Sequence, residues 1–409
     1  MNRTTMAASR RVALAAVLAG SVFAAGPAAA QQQEVRLGWM GAITGPIAQL
    51  VPPILRSSQM AVEQINEQGG VLGRRLTLIS ADGQCNAQGG TDATNKLINV
   101  DQVVAIVGGL CSGETIAGAQ SQAIPNGVVM VSASSTSPLI TGLQDRDLIF
   151  RVVPSDAYQG QVMARMVWNQ GLRRVAVTHV NNDYGRGLGG AFRDAFTALG
   201  GTVTAFAPHE DQRASYRTEL ATLARGNPEA LVIAAYGGGS GLTIIRQSLE
   251  GGFFNRFIGG DGMRDDVLPR ELGANLNITV TQPVPRAGNP GLEMFQQMFT
   301  AIGQNPSSIF VAQAYDATFA LALAIQHAGA TDRARISASL RAITAPGGTV
   351  IRPGQWREAV AALAAGQRIT FVGASGPIEF DAAGDVPGNV AQWTIQGGTF
   401  VQGPILTAN

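Results

Sequence analysis

Two neighbouring apolar runs in this chain end in hydroxyl-bearing residues. Val103–Val107 leads through a short glycine turn to Ser112, and Val128–Val131 leads to Ser134, Ser135 and Thr136. Short β-branched runs are typical of strands buried on both faces, and the residues between these two runs suit a helix. Open α/β sheets bind ligands at the carboxyl ends of their parallel strands. The hydroxyls therefore predict a small-molecule pocket that holds an oxyanion, most simply a carboxylate.

The first thirty residues have the three regions of a secretory signal peptide. Three arginines precede the apolar run Val12–Ala25, and Ala28–Ala30 offers a small-residue cleavage site. The apolar run is too short to span a membrane, and we expect no later segment to do so. The Arg10-Arg11 pair leaves a twin-arginine signal open beside the ordinary secretion that we favour. We expect an exported, freely soluble mature protein.

The mature composition argues against nucleic acid or an anionic membrane as a partner. Three of the 29 basic residues and none of the 28 acidic residues lie in the signal, which leaves a net charge of −2. At about 380 mature residues, two domains are the natural expectation.

The two cysteines of the chain, Cys85 and Cys111, each follow a predicted strand. In an oxidising compartment a disulfide is the simpler interpretation, and a reactive thiol is the alternative. Closing that loop would stabilise the fold by roughly 3–4 kcal/mol and would hold the segment that presents Ser112.

Strands and helices alternate in two successive series, which predicts an α/β protein with two similar three-layer lobes and mostly parallel sheets. The second series runs between two plausible crossings, at 152–154 and 281–285. Two long helices follow, and their return to the first lobe would explain why no third sheet is expected. The predicted segments are a signal peptide at 1–30, lobe I at 31–153 plus about 284–386, and lobe II at 154–283 plus about 387–409.

Several motifs occur in an order and at spacings that resemble one known family. The strongest are Gly41–Gln49, Ile65–Gly73 and Gly109–Ser112; further ones are Asn182–Gly185, Gly259–Gly262 and Ile378–Asp385. In these motifs the chain resembles the periplasmic substrate-binding proteins of branched-chain amino acid ABC transporters. The resemblance covers nearly all of the mature chain. It implies the type I periplasmic-binding-protein fold, a periplasmic location and a disulfide at the positions of Cys85 and Cys111.

The resemblance also implies roles for residues in the first lobe. Ser112 and the cluster Ser134, Ser135 and Thr136 match positions that hold the α-carboxylate and part of the ammonium of an amino acid. Hydroxyl and N–H donors suit a carboxylate. The alternative for Ser134 and Thr136 is turn capping.

In the second lobe, Tyr184 matches an aromatic residue that closes over the ligand, and Asp261 matches the acidic residue that pairs with the ammonium. The alternative for Asp261 is an N-cap of a helix near Asp265. The implied mechanism is ligand capture by hinge closure, followed by delivery to an inner-membrane ABC permease.

The chain departs from the family pattern in the side-chain pocket. Leu50 stands where the family often has an aromatic residue, and Tyr236 is followed by a glycine run where a second pocket aromatic is expected. Fewer rings predict a roomier or differently shaped pocket, so amides, aromatic acids and other amino acids stay open as ligands. The segment 347–372 is longer than the family norm, with a helix at 356–365.

Two other functions are alternatives to ligand transport. An exported amide or amino-acid sensor on the same fold is the first alternative. A nicotinamide-dependent enzyme is a remote one, since Gly185–Gly190 satisfies the dinucleotide fingerprint and Glu210 lies twenty residues beyond its last glycine. The three histidines are far apart in the sequence, so no metal site is expected, and we expect neither a cofactor nor catalysis.

Overall fold

The computed structural model describes residues 34–408, which contain fourteen strands and thirteen α-helices. The strands are β1 (Val35–Gly41), β2 (Leu76–Asp82), β3 (Ala105–Val107), β4 (Val129–Ser132), β5 (Ile149–Arg151), β6 (Arg174–Val180), β7 (Thr202–His209), β8 (Ala230–Ala234), β9 (Phe257–Gly259), β10 (Ile278–Val284), β11 (Thr349–Ile351), β12 (Ile369–Phe371), β13 (Asn389–Gln396) and β14 (Thr399–Leu406).

The helices alternate with these strands along most of the chain. They are α1 (Val51–Glu67), α2 (Ala87–Asn95), α3 (Ser112–Gly118), α4 (Pro138–Thr141), α5 (Asp156–Asn169), α6 (Asp183–Ala198), α7 (Arg217–Leu223), α8 (Leu242–Gly251), α9 (Val267–Leu272), α10 (Pro290–Ala301), α11 (Val311–Ala328), α12 (Arg333–Thr344) and α13 (Trp356–Ala364).

Two main sheets form the centres of two lobes. The five-stranded sheet of lobe I has the order β2-β1-β3-β4-β5, with every neighbouring pair parallel. The seven-stranded sheet of lobe II has the order β14-β13-β10-β9-β8-β6-β7, and it is parallel from β10 to β7. The α/β fold with mostly parallel sheets that the sequence predicts is confirmed.

The chain crosses between the lobes after β5 and after β10, and again between β12 and β13. After the second crossing, α10 and α11 return to lobe I, where the Ser57 hydroxyl of α1 donates to the Val311 carbonyl of α11 at 2.6 Å. Nearly every residue of α11 is buried, as expected for a helix enclosed on all sides.

Two features differ from the sequence-based expectation. A third sheet does exist, because β11 and β12 pair in parallel inside the long segment 347–372. The antiparallel pair β13 and β14 was also not predicted as strands. Gly397 and Gly398 connect this pair, with φ of 58° and 83°, and positive φ at both central residues is what a tight two-residue hairpin requires.

Candidate functional site

A small cavity lies between the two lobes, where the carboxyl ends of both main sheets face each other. It measures about 30 Å³, which is room for roughly two water molecules. Its lining includes five of the seven residues predicted to bind a ligand: Leu50, Ser112, Ser134, Tyr184 and Asp261. An amino acid can enter this space only if the lobes or the lining side chains move.

Lobe I contributes two serines to the cavity, and both are already part of a hydrogen-bonded loop pair. The Ser112 hydroxyl accepts from the Ser137 N–H at 3.1 Å, and the Ser134 hydroxyl donates to the Leu110 carbonyl at 2.8 Å. Ser112 begins α3, and Ser134 follows β4. The two hydroxyls therefore lie at adjacent strand ends, as the apolar runs predict.

The other two predicted hydroxyl residues are not part of the cavity lining. Ser135 donates to the Gly109 carbonyl at 3.0 Å and pairs with the Thr115 hydroxyl at 2.7 Å, so its side chain links the loops after β3 and β4. Thr136 is buried, and its hydroxyl has no hydrogen-bonding partner among the described residues. The turn after β4 is capped by another residue, Ser132, whose hydroxyl accepts from the two following serine N–H groups.

A disulfide and a buried carboxylate hold the loop that presents Ser112. Cys85 and Cys111 are joined, with their Cα atoms 5.1 Å apart, which confirms the disulfide that the sequence predicts. Glu114 accepts N–H groups from Leu110 at 2.6 Å, Cys111 at 3.0 Å and Cys85 at 3.0 Å. Burial raises the pKa of Glu114 to about 7, although these three hydrogen bonds oppose the shift.

Lobe II contributes a carboxylate held by two side-chain donors. One oxygen of Asp261 accepts from the Tyr184 hydroxyl at 3.1 Å and from the Gln159 amide at 3.0 Å. The Tyr184 hydroxyl in turn accepts from the Gly262 N–H at 3.0 Å. Burial raises the pKa of Asp261 to about 6.

The helix-capping alternative for Asp261 fails in this structure. Asp261 is the first residue of a short 3₁₀ helix, Asp261–Met263, whose N-cap is Gly260. The next α-helix, α9, begins at Val267, and the N–H of Val267 is bound at 2.9 Å by Asp265 instead. Asp261 lies two residues after β9, and its side chain lines the cavity, where a cation would meet a desolvated carboxylate.

A second buried carboxylate, Asp156, lies close to Asp261 and was missed by the sequence analysis. Neither of its oxygens has a hydrogen-bonding partner in residues 34–408, although the Thr136 hydroxyl is nearby. Burial, and then the charge of Asp261, hold the pKa of Asp156 well above its ordinary value. The only signal in the sequence is an acidic residue after the N-cap Ser155, which ordinarily indicates nothing more than a helix start.

The remaining cavity wall is apolar and includes aromatic rings. Aliphatic side chains dominate it: Ile47, Leu50, Ile54, Leu110 and Ile309. Tyr236 also lines the cavity and stacks on Tyr184 with ring centroids 5.2 Å apart, and Phe310 lies on the opposite lobe. The cavity thus contains three rings, those of Tyr184, Tyr236 and Phe310, and Leu50 lines it where an aromatic residue is expected from the resemblance.

Glycines allow the two lobes to approach each other around the cavity. A Cβ on Gly187 would lie 2.7 Å from the Pro138 side chain, and one on Gly238 would lie 2.7 Å from the Pro46 carbonyl oxygen. The Gln49 amide of lobe I also donates across the cleft to the Asp265 carboxylate of lobe II. The glycines after Tyr236 therefore allow this part of lobe II to pack closely against lobe I.

The apparent dinucleotide fingerprint has a different structure from a phosphate-binding turn. Residues 185–190 lie inside α6, and the N–H of Gly185 is already bound by the N-cap Asn182 at 2.9 Å. Gly185 packs closely on Val180, so the glycine serves helix–strand packing. This removes the basis of the nicotinamide-enzyme alternative.

In residues 34–408, no three His, Cys, Asp or Glu side chains lie together in a group that could hold a metal ion. Within the same part of the chain, none of the helices combines the length and apolar character that crossing a bilayer requires. The predicted signal peptide lies outside the described residues.

Comparison with known proteins agrees with this geometry. Residues 34–376 match the family model described as periplasmic binding protein. A leucine-, isoleucine-, valine-, threonine- and alanine-binding protein of Pseudomonas aeruginosa is 30% identical over 312 residues, which cover 76% of this chain and 83% of that protein.

Two solved structures resemble the chain over nearly its whole length. A leucine-binding protein from Thermotoga maritima has a TM-score of 0.77 at 27% identity, covering 91% of this chain and 99% of its own. An ABC transporter substrate-binding protein from Desulfitobacterium hafniense in complex with Leu has a TM-score of 0.70 at 25% identity, covering 90% and 100%. The chain belongs to the periplasmic binding protein family, among the substrate-binding proteins of branched-chain amino acid ABC transporters.

Proposed function

We propose that this protein captures an α-amino acid with an apolar side chain between its two lobes and delivers it to an ABC permease. The observation that carries the proposal is the arrangement of the cavity. A buried carboxylate on lobe II, Asp261, faces two serine hydroxyls on lobe I across an apolar-walled space. This polarity complements a zwitterion with an aliphatic side chain.

In this proposal Ser112 and Ser134 hold the ligand carboxylate, and the Ser134 hydroxyl turns from the Leu110 carbonyl to the ligand when it binds, while Ser135 and Thr136 lie in the loop behind them. Hydroxyl and N–H donors bind a carboxylate with charge-assisted hydrogen bonds. Because Glu114 and the disulfide restrain the Ser112 loop, its donors are positioned before the ligand arrives.

Asp261 is assigned to the ammonium, with Tyr184 closing over the ligand. A buried ammonium needs an anionic partner, because an unpaired ion in a desolvated site costs several kcal/mol. Asp261 already accepts two neutral donors, so its charged form is the one prepared for a cation.

The aliphatic wall supports an aliphatic ligand side chain. Leu50, Ile54 and Phe310 offer contacts without a polar partner, so a polar side chain would lose hydrogen bonds to water on entry. The names of the Pseudomonas and Thermotoga relatives, which bind leucine or a set that includes it, point the same way.

Lobe closure is proposed to follow binding to lobe I. We assign 31–153 with about 284–386 to lobe I and 154–283 with about 387–409 to lobe II, and their relative rotation takes place at the crossings. The family supports a periplasmic location. We further propose that residues 1–30 are a signal peptide, that the partner is an inner-membrane ABC permease, and that the protein catalyses no reaction.

A binding screen tests the ligand class. L-leucine, L-isoleucine and L-valine should raise the melting temperature of ligand-free protein with the logarithm of their concentration. The des-amino analogue 4-methylpentanoate, the decarboxylated analogue isopentylamine and benzoate should each give smaller shifts than leucine. A larger shift with benzoate or with a simple amide than with any amino acid would refute the zwitterion assignment.

A further inference from the structure

The residues 261–265 of lobe II form one hydrogen-bonded turn. The Arg264 N–H donates to the Asp261 carbonyl at 2.9 Å, and the Asp265 N–H donates to the Met263 carbonyl at 3.0 Å. Asp261, the first residue of this turn, lines the cavity. Because these bonds hold the backbone of the turn together, a group that is bound to Arg264 or Asp265 also restrains the position of Asp261.

The Asp265 carboxylate of this turn binds lobe I across the cleft. It accepts from the side-chain amide of Gln49, which directly precedes the cavity-lining residue Leu50. The Gln49 amide lies so close to the backbone of lobe II that a Cβ on Gly238 would collide with it. This hydrogen bond therefore joins the 261–265 turn to one segment of the apolar wall.

The Arg264 guanidinium of the same turn binds a second segment of lobe I. It donates to the Ser307 carbonyl at 3.0 Å, in the loop between α10 and α11. The same loop continues to Ile309 and Phe310, which line the cavity. The guanidinium also lies 3.9 Å from the ring centre of Trp393 on lobe II, a cation–π contact that restrains its direction. Two segments of the apolar wall are thus hydrogen-bonded to the turn that carries the carboxylate assigned to the ammonium.

These two cross-lobe hydrogen bonds limit how wide the closed cleft can become. The cavity measures about 30 Å³, so a bound amino acid must displace the lobes or the lining side chains. A ligand side chain that fits leaves the hydrogen bonds in place. A longer one pushes the apolar wall away from the 261–265 turn and has to break them. The loss of a hydrogen bond that involves a charged group weakens binding about tenfold.

We propose that Gln49 and Arg264 are positioning residues that set ligand specificity: their hydrogen bonds across the cleft determine the longest apolar side chain that the protein accepts. This role rests on the proposed function, in which Asp261 binds the ligand ammonium and the apolar wall contacts the ligand side chain. Gln49 and Arg264 act on the ligand through the separation between Asp261 and that wall.

Calorimetric titration with straight-chain L-α-amino acids, from 2-aminobutyrate to 2-aminooctanoate, measures this limit. In the wild type the Kd should fall about fourfold with each added methylene until the limit is reached, and the next member should bind about tenfold more weakly. Gln49→Met and Arg264→Met each keep an unbranched side chain and remove one cross-lobe hydrogen bond. Each variant should raise the Kd of ligands within the limit about tenfold. Each should leave the Kd of longer ligands unchanged, because those ligands already break the bond in the wild type.

Arg270→Met is the matched control, because Arg270 is exposed on α9 and pairs with Glu271 of its own lobe. It should leave every Kd unchanged. If Gln49→Met and Arg264→Met change the Kd of all members by one common factor, or change none, the specificity role is overturned. A wild-type Kd that falls along the whole series without a limit also overturns it. Either variant alone decides the matter if the other does not fold. A folded wild type that binds no member of the series refutes the proposed function itself, and the specificity role with it.

Discussion

Replacing Asp261 with Asn isolates the interaction with the ligand ammonium. The variant keeps the size of the side chain and one acceptor for Tyr184 and Gln159, but it removes the charge. Removing one member of a buried ion pair costs about 3–5 kcal/mol. Because the two neighbouring dipoles remain, we take the lower value, which corresponds to a Kd for leucine more than about 100-fold higher.

Calorimetric titration with leucine and with 4-methylpentanoate measures this effect. The des-amino analogue has the same side chain and carboxylate, so its Kd should change by less than about threefold, within the small effect of an uncharged substitution. Equal losses for both ligands would refute the ammonium role and would show that Asp261→Asn disturbs the cleft as a whole.

The Kd for leucine should depend on pH in the wild type, rising as the pH falls, and much less so in Asp261→Asn. Burial raises the pKa of Asp261 to about 6, and Asp156 titrates with it as a coupled pair. Below that pH, binding an ammonium must release a proton, so the Kd for leucine should rise about tenfold per pH unit. The ligand's own groups stay charged from about pH 5 to 7. Asp261→Asn should flatten the profile, and a flat wild-type profile would contradict the assignment.

Three further outcomes concern lobe contact and the serine loop. Gly187→Ala should raise the Kd for leucine about tenfold, because its methyl meets the opposite lobe. Gly190→Ala is the control, because Gly190 lies in the same helix with open space around its Cβ and gains the same helix propensity of about 1 kcal/mol. It should leave the Kd for leucine unchanged. Equal Kd values for the Gly187→Ala and Gly190→Ala variants in a titration would disprove a closure contact at Gly187. Glu114→Gln should lessen the fall in the free energy of unfolding between pH 4.5 and 7 by an amount on the order of 3 kcal/mol, since the raised pKa makes the folded wild type bind an extra proton in that window. Asp316, whose pKa burial also raises to about 7, contributes a fall of the same sign that the variant keeps. Urea melts in which the variant and the wild type have the same slope would rule out Glu114 as a source. Joint Cys85→Ser and Cys111→Ser substitution should lower the free energy of unfolding by about 3–4 kcal/mol, and reduction of the wild type should reproduce this; urea melts with no change would contradict a stabilising disulfide.

Most of the fold could be predicted from the sequence because parallel strands are buried on both faces. Continuous apolar runs such as β3 and β8 are strong local signals, and their helices carry their own caps. The pair β13 and β14 has a weaker signal, since β14 is mostly exposed and Gly403 and Pro404 interrupt its apolar residues. The two-stranded sheet of β11 and β12 is only three residues long in each strand, below the length at which periodicity can be recognised.

Site residues that lie directly after their own strands could be predicted from the sequence. Site residues that reach the cavity only through the packing of distant elements could not. Ser112 and Ser134 follow their own strands, so strand order alone brings them together. Phe310 reaches the cavity from the start of α11, far along the chain from both main series. Asp156 follows an N-cap serine, and only the packing of its helix against the sheet of lobe II gives it a buried neighbour in Asp261.

Gln159 connects the site chemistry to the crossings between the lobes. It lies on α5, directly after the first crossing, and its amide donates both to Asp261 and to the Thr281 carbonyl at the second crossing. Its own oxygen and both oxygens of Asp156 have no donor among the described residues. An ammonium in the cleft would bring positive charge and three N–H donors to a region that contains unpaired acceptors and two carboxylates of raised pKa. If the proposed assignment holds, the cation would stabilise the segments that rotate when the lobes close, because the groups assigned to it are attached to both crossings.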